Sequence, residues 1–361
     1  MKILFVFEQI ETSRYYAALF YWLVNIKHVD IYVYNISNDR EFKHQIGPII
    51  GSANYFQLPA GIKYINSITE IPKCIDLIKP DIIHANMFHC AFYTTIALWY
   101  SGSSIPLIYH KHSIEAKTLT EKFMESIIVK KAQKIIFVSN AAFNYGCLKW
   151  RKSEEKFVVI LNGITINDSD KNTGTDLPDK YILLLGRLRP EKGHLIAIEA
   201  FKNVLEKFPT AKLVFAGEGP QRAVLINKIK SEHLEDAILL TGHIENVAQL
   251  IKNSLFMIVP SENEPFGLVA IEGLALKKLV IASKTGGLQE IIENEKSGVL
   301  LDSKQPADWS NVINYYLSNP QKANALAIAG YEHYSHHFTN EIMAKKYFNL
   351  YQEVLNECRK S

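Results

Sequence analysis

The chain has 361 residues, of which 48% are apolar and 21% charged, with a net charge of +3. That length suits two α/β domains, each able to bury its own core, and the composition excludes a disordered or fibrous chain. Cys74, Cys90, Cys147 and Cys358 are widely spaced, with no CxxC and no His partner at zinc spacing, so a disulfide framework and a zinc module are excluded and a reducing, cytoplasmic setting is expected.

The apolar run 3–7 is too short for a signal peptide and reads as a strand. After it come Glu8 to Arg14 and a helix-like stretch at 15–26. Thr12 or Ser13 suits the cap of that helix, and Arg14 offers a cation beside it. Further short apolar runs at 31–34, 82–84, 107–109 and 135–138 alternate with helix-like stretches at 67–79 and 88–100, the pattern of βαβ units on a parallel sheet. Pro80 and Pro106 open two of these strands, where a missing donor is tolerated. The strand ends carry His84 and Asn86 in one case and His110 and His112 in the other. No apolar stretch reaches the roughly 18 residues that a membrane span requires. Residues 1–163 carry 18 Lys+Arg against 13 Asp+Glu, and the remainder 22 against 24. This mild asymmetry suits an anionic acceptor or a peripheral contact with the inner face of a membrane. An ordinary solvated face accounts for it equally well, and no nucleic-acid partner is expected.

Residues 167–179, NDSDKNTGTDLPD, are polar and turn-rich and read as a linker. Four segments are therefore expected: a Rossmann-like acceptor domain at 1–166, the linker at 167–179, a Rossmann-like donor domain at 180–339, and a closing helix at 340–361 packed back toward the first domain. Asp168-Ser169-Asp170 within the linker is a DxD pattern that could hold a metal. Its position in a polar turn, rather than after a buried strand, favours a solvated segment.

The second half repeats the strand–helix alternation more cleanly, and five of its loops follow predicted strands, where open α/β sheets bind ligands. Gly186 and Gly193 bracket a turn bearing Arg187 and Lys192, two cations suited to a diphosphate. Gly217-Glu218-Gly219-Pro220 joins a strand to a helix N-terminus, which favours negative charge. Thr241-Gly242-His243-Ile244 forms a turn whose backbone can face a planar base. The run 260–272 places Glu264 in a loop and Glu272 in the opening turns of the next helix, with Phe266, Gly267 and Leu268 between them. Two carboxylates there can accept hydrogen bonds from sugar and ribose hydroxyls. The fifth loop, Lys284-Thr285-Gly286-Gly287, opens one more helix.

GRLRPEKG, GEGP, SENEPFGLVAIEG, KTGGLQEII and SGVLL, in that order over 181–301, resemble the family 4 glycosyltransferases of the GT-B fold. In the first half, PDIIHAN, IPLIYHKH, FVS and VVILNGI resemble the same family less closely. The Gly-Gly loop expected after the first strand is replaced by Glu8 to Arg14. The resemblance implies two Rossmann-like parallel-sheet domains facing each other across a cleft. Arg187 and Lys192 would bind the donor diphosphate, Glu264 the transferred sugar and Glu272 the ribose. Gly186, Gly217, Gly219, His243 and Ile244 would line the nucleotide, and Phe266, Gly267 and Leu268 would supply backbone amides. His112 matches the family's functional histidine, with His110 two residues away, and Arg14, His84, Asn86 and His110 would lie on the acceptor side.

Such enzymes move a sugar from a UDP- or GDP-sugar to an acceptor hydroxyl with retention, need no metal or other cofactor, and act on glycans or lipid-linked glycans of the cell surface. Two alternatives stay open: a catalytically silent GT-B partner of another transferase, and a GT-B nucleotide-sugar epimerase or phosphorylase. A Rossmann dehydrogenase is a poor rival, since neither half carries a GxGxxG fingerprint.

Overall fold

A computed structural model describes residues 1–8, 13–37, 40–58, 64–112, 118–166, 177–244, 246–302 and 304–360. The chain divides into two compact units, one formed by Met1–Gly163 with Asn340–Ser361 and the other by Ile164–Thr339.

The first unit holds strands β1 (Lys2–Phe7), β2 (Asp30–Asn35), β3 (Tyr55–Gln57), β4 (Ile82–Asn86), β5 (Leu107–Lys111), β6 (Lys134–Phe137) and β7 (Phe157–Val159). They form one sheet in the order β3-β2-β1-β4-β5-β6-β7, parallel throughout. Almost every residue of β1, β4, β5 and β6 is buried, as a parallel sheet covered on both faces requires. The intervening helices start where local chemistry permits. Thr118 and Glu121 form a reciprocal capping box at the helix Leu119–Lys131, and Ser139 caps the helix Asn140–Lys149.

The helix Asn340–Lys360 belongs to this first unit. Its buried Met343, Ala344, Tyr347, Leu350, Tyr351 and Val354 recur at helical spacing and join the core formed by Ile3, Phe5, Leu19 and Phe20. At about 1.5–3 kcal/mol per large buried side chain, this stripe is a principal contribution to holding the chain's end on the sheet.

The second unit holds β8 (Ile182–Leu185), β9 (Leu213–Ala216), β10 (Ile238–Gly242), β11 (Phe256–Val259), β12 (Val280–Ser283) and β13 (Val299–Leu301). Their order is β10-β9-β8-β11-β12-β13, again parallel throughout. In both sheets the order reverses once, between β1 and β4 and between β8 and β11. The loops leaving those strands therefore diverge to opposite sides and leave a crevice at the carboxyl ends.

The first unit ends at Gly163 rather than at 166. Hydrogen bonding accounts for the difference: the Ile164 amide donates to Phe338 O at 2.9 Å, and the Tyr334 hydroxyl donates to Ile164 O at 2.9 Å. Both backbone groups of Ile164 are thereby committed to the second unit. Most of the expected linker, residues 167–176 with the DxD pattern, lies outside the described residues, as do Gln9 to Thr12. Arg14 stands in the helix Ser13–Lys27, but its side chain also falls outside the description.

Candidate donor and histidine sites

In the second unit the sequence-predicted residues gather at the carboxyl ends of β8 to β11. Lys192 and Glu264, on the two loops that flank the strand-order reversal, meet in an ion pair of 2.6 Å. Their side chains are 25% and 13% exposed, so the pair is partly withdrawn from water and still reachable. The Ser261 hydroxyl donates to the same carboxylate oxygen of Glu264 at 3.4 Å.

Backbone shape fixes this meeting. Gly193 has φ 74°, and a Cβ there would stand 2.0 Å from Pro260 O. Only glycine lets the Lys192 turn lie this close to the end of β11. From the other side Gly286, at φ 47°, would drive a Cβ to 2.1 Å from Glu264 O. The Gly287 amide donates to that same oxygen at 2.9 Å, and Glu262 N donates to Glu191 O at 2.8 Å. The Lys192 and Glu264 loops are thus bound together by main chain before any side chain contributes.

Arg187 lies on the Lys192 turn, part-buried, and its guanidinium pKa is lowered by burial and then by the nearby charge of Arg189. The neighbouring loop is tied to this turn: Leu188 N donates to Glu218 O at 2.9 Å and Gln221 N to Leu188 O at 3.0 Å. Gly217 N donates to Gly242 O at 2.8 Å, which brings in the β10 turn. There His243 is exposed, whereas Ile244 is buried among Tyr181, Val214, Leu250 and Ile251. The expectation that Ile244 lines a nucleotide therefore narrows to its backbone, because the side chain belongs to the core. Phe266 is likewise buried. Gly267 precedes the helix Leu268–Ala275, and Glu272 stands part-buried in that helix's second turn. The N-terminal end of this helix presents amides and positive dipole within four residues of Glu264.

One residue of this region escaped the sequence reading. His194 follows Gly193, is fully buried, and packs edge-on against Phe215 with ring centroids 5.1 Å apart. Neither ring nitrogen has a hydrogen-bond partner among the described residues. Burial, followed by the charge of Lys192, lowers its pKa to about 4.

In the first unit β4 and β5 bring His84, Asn86, His110 and His112 into one cluster. The Tyr16 hydroxyl donates to Asn86 Oδ1 and lies 3.2 Å from both His110 Nδ1 and His112 Nε2. The rings of His110 and His112 are 4.0 Å apart. Tyr347 hydroxyl lies 3.2 Å from His110 Nδ1, and Tyr351 hydroxyl lies 2.8 Å from His84 Nδ1. Burial holds all three imidazoles neutral: His84 falls to about 3, His112 to about 4, and His110 well below its ordinary value, with the neighbouring histidines adding to the effect at His84 and His110.

His84, Asn86 and His110 are buried, whereas His112 keeps partial exposure. The expectation that the first three contact an acceptor narrows accordingly: in this conformation His84 Nδ1, Asn86 and His110 are hydrogen-bonded to protein groups, and buried His84 Nε2 has no hydrogen-bond partner among the described residues. His112 alone of the four presents a surface. Tyr16, Tyr347 and Tyr351 were not legible as site residues, because each reads as one more aromatic on an apolar helix face. The pair of Glu8 and His89, 2.9 Å apart, was missed as well. It raises the His89 pKa, mainly through the hydrogen bond.

Among the described residues no cluster of His, Cys, Asp or Glu could hold a metal ion, and no helix is long and apolar enough to cross a membrane.

The family model described as glycosyl transferases group 1 matches residues 165–333, and that described as glycosyltransferase family 4 matches residues 15–168. An uncharacterized glycosyltransferase of Methanocaldococcus jannaschii is 29% identical over 90% of this chain and 89% of its own. Another from the same organism is 30% identical over 63% of this chain, a match that spans only 62% of that relative's length. Among solved structures, Anabaena HepE in complex with UDP and glucose superposes with a TM-score of 0.81 at 20% identity, over 98% of this chain and 100% of that one. With two parallel Rossmann-like units and family models that together span 15–333, the chain belongs to the family 4 glycosyltransferases of the GT-B fold.

Proposed function

We propose that this protein transfers a sugar from a nucleoside diphosphate sugar to a hydroxyl of a glycan or lipid-linked glycan, with retention of anomeric configuration and without a metal. The observation that carries this reading is the Lys192–Glu264 pair at the strand-order reversal of the second sheet. A departing nucleoside diphosphate develops negative charge, and Lys192, Arg187 and the amides at the start of the helix Leu268–Ala275 supply positive potential for it. Glu264, released from Lys192 when phosphate takes that cation, accepts hydrogen bonds from the transferred sugar, and Glu272 takes the ribose hydroxyls. His112 of the first unit offers a neutral imidazole to hydroxyls of the acceptor. The UDP and glucose bound by the Anabaena protein favour a UDP-sugar over a GDP-sugar.

The test is incubation of the full chain with UDP- and GDP-sugars and a panel of lipid-linked and free glycans in the presence of chelator. The expected outcome is a product whose new bond keeps the donor's anomeric configuration. An inverted product, or turnover that requires added manganese, would overturn the mechanism.

A further inference from the structure

Asn86 decides where the Tyr16 hydroxyl proton goes. Asn86 Nδ2 points to Val6 O at 3.5 Å, so its Oδ1 is the atom facing Tyr16. An amide oxygen only accepts. The single Tyr16 hydroxyl proton is therefore given to Asn86, and toward His112 the phenol oxygen can act only as an acceptor. His112 Nε2, 3.2 Å away, must then carry a hydrogen, because a bare nitrogen facing that lone pair would be repelled. A neutral imidazole with its proton on Nε2 has an unprotonated Nδ1.

We propose that Tyr16, oriented by Asn86, is a positioning residue that holds His112 in the Nε2–H tautomer, so that Nδ1 remains the acceptor for a sugar hydroxyl. Burial of the three-histidine cluster supports the arrangement, since an imidazolium at any of the three would meet the desolvation that depresses all of them. His110 fits the same scheme: its Nδ1 hydrogen goes to Tyr16, and the Tyr347 hydroxyl, 3.2 Å from Nδ1 and 3.3 Å from Nε2, donates to the bare Nε2. Lys111 alternates to the other face of β5 and pairs with buried Glu125 at 2.5 Å, so its charge is compensated there.

The sugar-hydroxyl role rests on the transferase reading, whereas the tautomer does not, and the experiment separates them. The full chain is labelled with ¹⁵N-histidine, and His112 is assigned by the signal lost in His112→Gln. Long-range proton–nitrogen spectra at pH 7 are expected to show a bare Nδ1 and a protonated Nε2. A proton on Nδ1, or on both nitrogens, overturns the proposal, and this measurement needs no substrate. Asn86→Leu removes the acceptor, which lets Tyr16 donate to the ring, and is expected to move the His112 proton toward Nδ1. An unchanged tautomer in a folded Asn86→Leu protein would also overturn it. In turnover, Tyr16→Phe is expected to lower kcat about tenfold with the donor KM held within about twofold, and a change confined to KM contradicts the positioning role. A protein with the expected tautomer but no transfer of any sugar would instead refute the transferase reading.

Discussion

Replacing Lys192 by Met removes the cation while keeping a flexible side chain of similar length. In the present conformation the ammonium is bonded to Glu264 at 2.6 Å with only a quarter of its side chain exposed, so its contact with a phosphate would be partly desolvated. A hydrogen bond to a charged group contributes about 1.5–3 kcal/mol, and a partly exposed site belongs near the middle, about 2 kcal/mol or roughly 30-fold in Kd. Titration calorimetry with UDP and with uridine separates the phosphate contribution from that of the base and ribose. UDP is expected to weaken roughly 30-fold and uridine to remain within about twofold. Glu264→Gln is the complementary perturbation. It deletes the carboxylate with which the phosphate must compete for Lys192, and UDP is expected to tighten by roughly two- to fivefold, the worth of a partly exposed ion pair. Equal losses for UDP and uridine in Lys192→Met, or loss of UDP binding in a folded Glu264→Gln protein, would refute a diphosphate site at this pair.

Glu264→Gln is expected to depress kcat, because its hydrogen bonds strengthen as positive charge grows on the sugar, whereas Glu272→Gln is expected chiefly to raise the donor KM; steady-state kinetics of both variants reads the split. Gly193→Ala puts a Cβ 2.0 Å from Pro260 O at a φ of 74°, and urea unfolding is expected to show about 1–3 kcal/mol lost with UDP affinity falling alongside. His194 has a lowered pKa in the folded chain, so the unfolded chain binds the extra proton between about pH 6.5 and pH 4 and stability falls as pH drops through that window. His194→Leu is expected to remove about 2 kcal/mol of that loss between pH 7 and pH 5 in urea unfolding curves. It also spares the two unpartnered ring nitrogens, so equal or greater stability than wild type is expected at pH 7 as well. Turnover is expected to survive chelator, and to survive joint replacement of Asp168 and Asp170 by Ala, as measured by UDP release.

The loops at the carboxyl ends of β8 to β11 were legible because each is written in a short contiguous stretch. GRLRPEKG fixes Arg187 and Lys192 between two glycines, and the fourth loop carries Glu264 and Glu272 eight residues apart. The approach of the Lys192 turn to Pro260 and of Gly286 to Glu264 depends on glycines that the sequence displays. Which cation meets which carboxylate was not legible. Lys192 and Glu264 are 72 residues apart, and their pairing follows from the β8–β11 neighbourhood, which a strand count alone does not reveal. Ile244 shows the converse limit: a motif position marks where the backbone runs, but burial decides what the side chain can touch.

The first unit was harder to read for a reason that also explains how it is built. Its polar cluster draws Tyr16 from the first helix, three histidines from two strand ends, and Tyr347 and Tyr351 from a helix more than 230 residues further along the chain. No local spacing encodes such a set. Tyr347 and Tyr351 stand four residues apart, in step with the apolar Met343, Leu350 and Val354, so hydropathy registers them only as core. Yet their hydroxyls are what the histidines require, because a buried imidazole without partners costs about 1–3 kcal/mol for each orphaned nitrogen. The closing helix therefore does two things with one stripe: its apolar atoms bury the sheet's face, and its two phenols supply hydrogen bonds to His84 Nδ1 and to His110. Since His110 in turn lies against His112, the end of the chain bears on the one histidine of the cluster that reaches the surface.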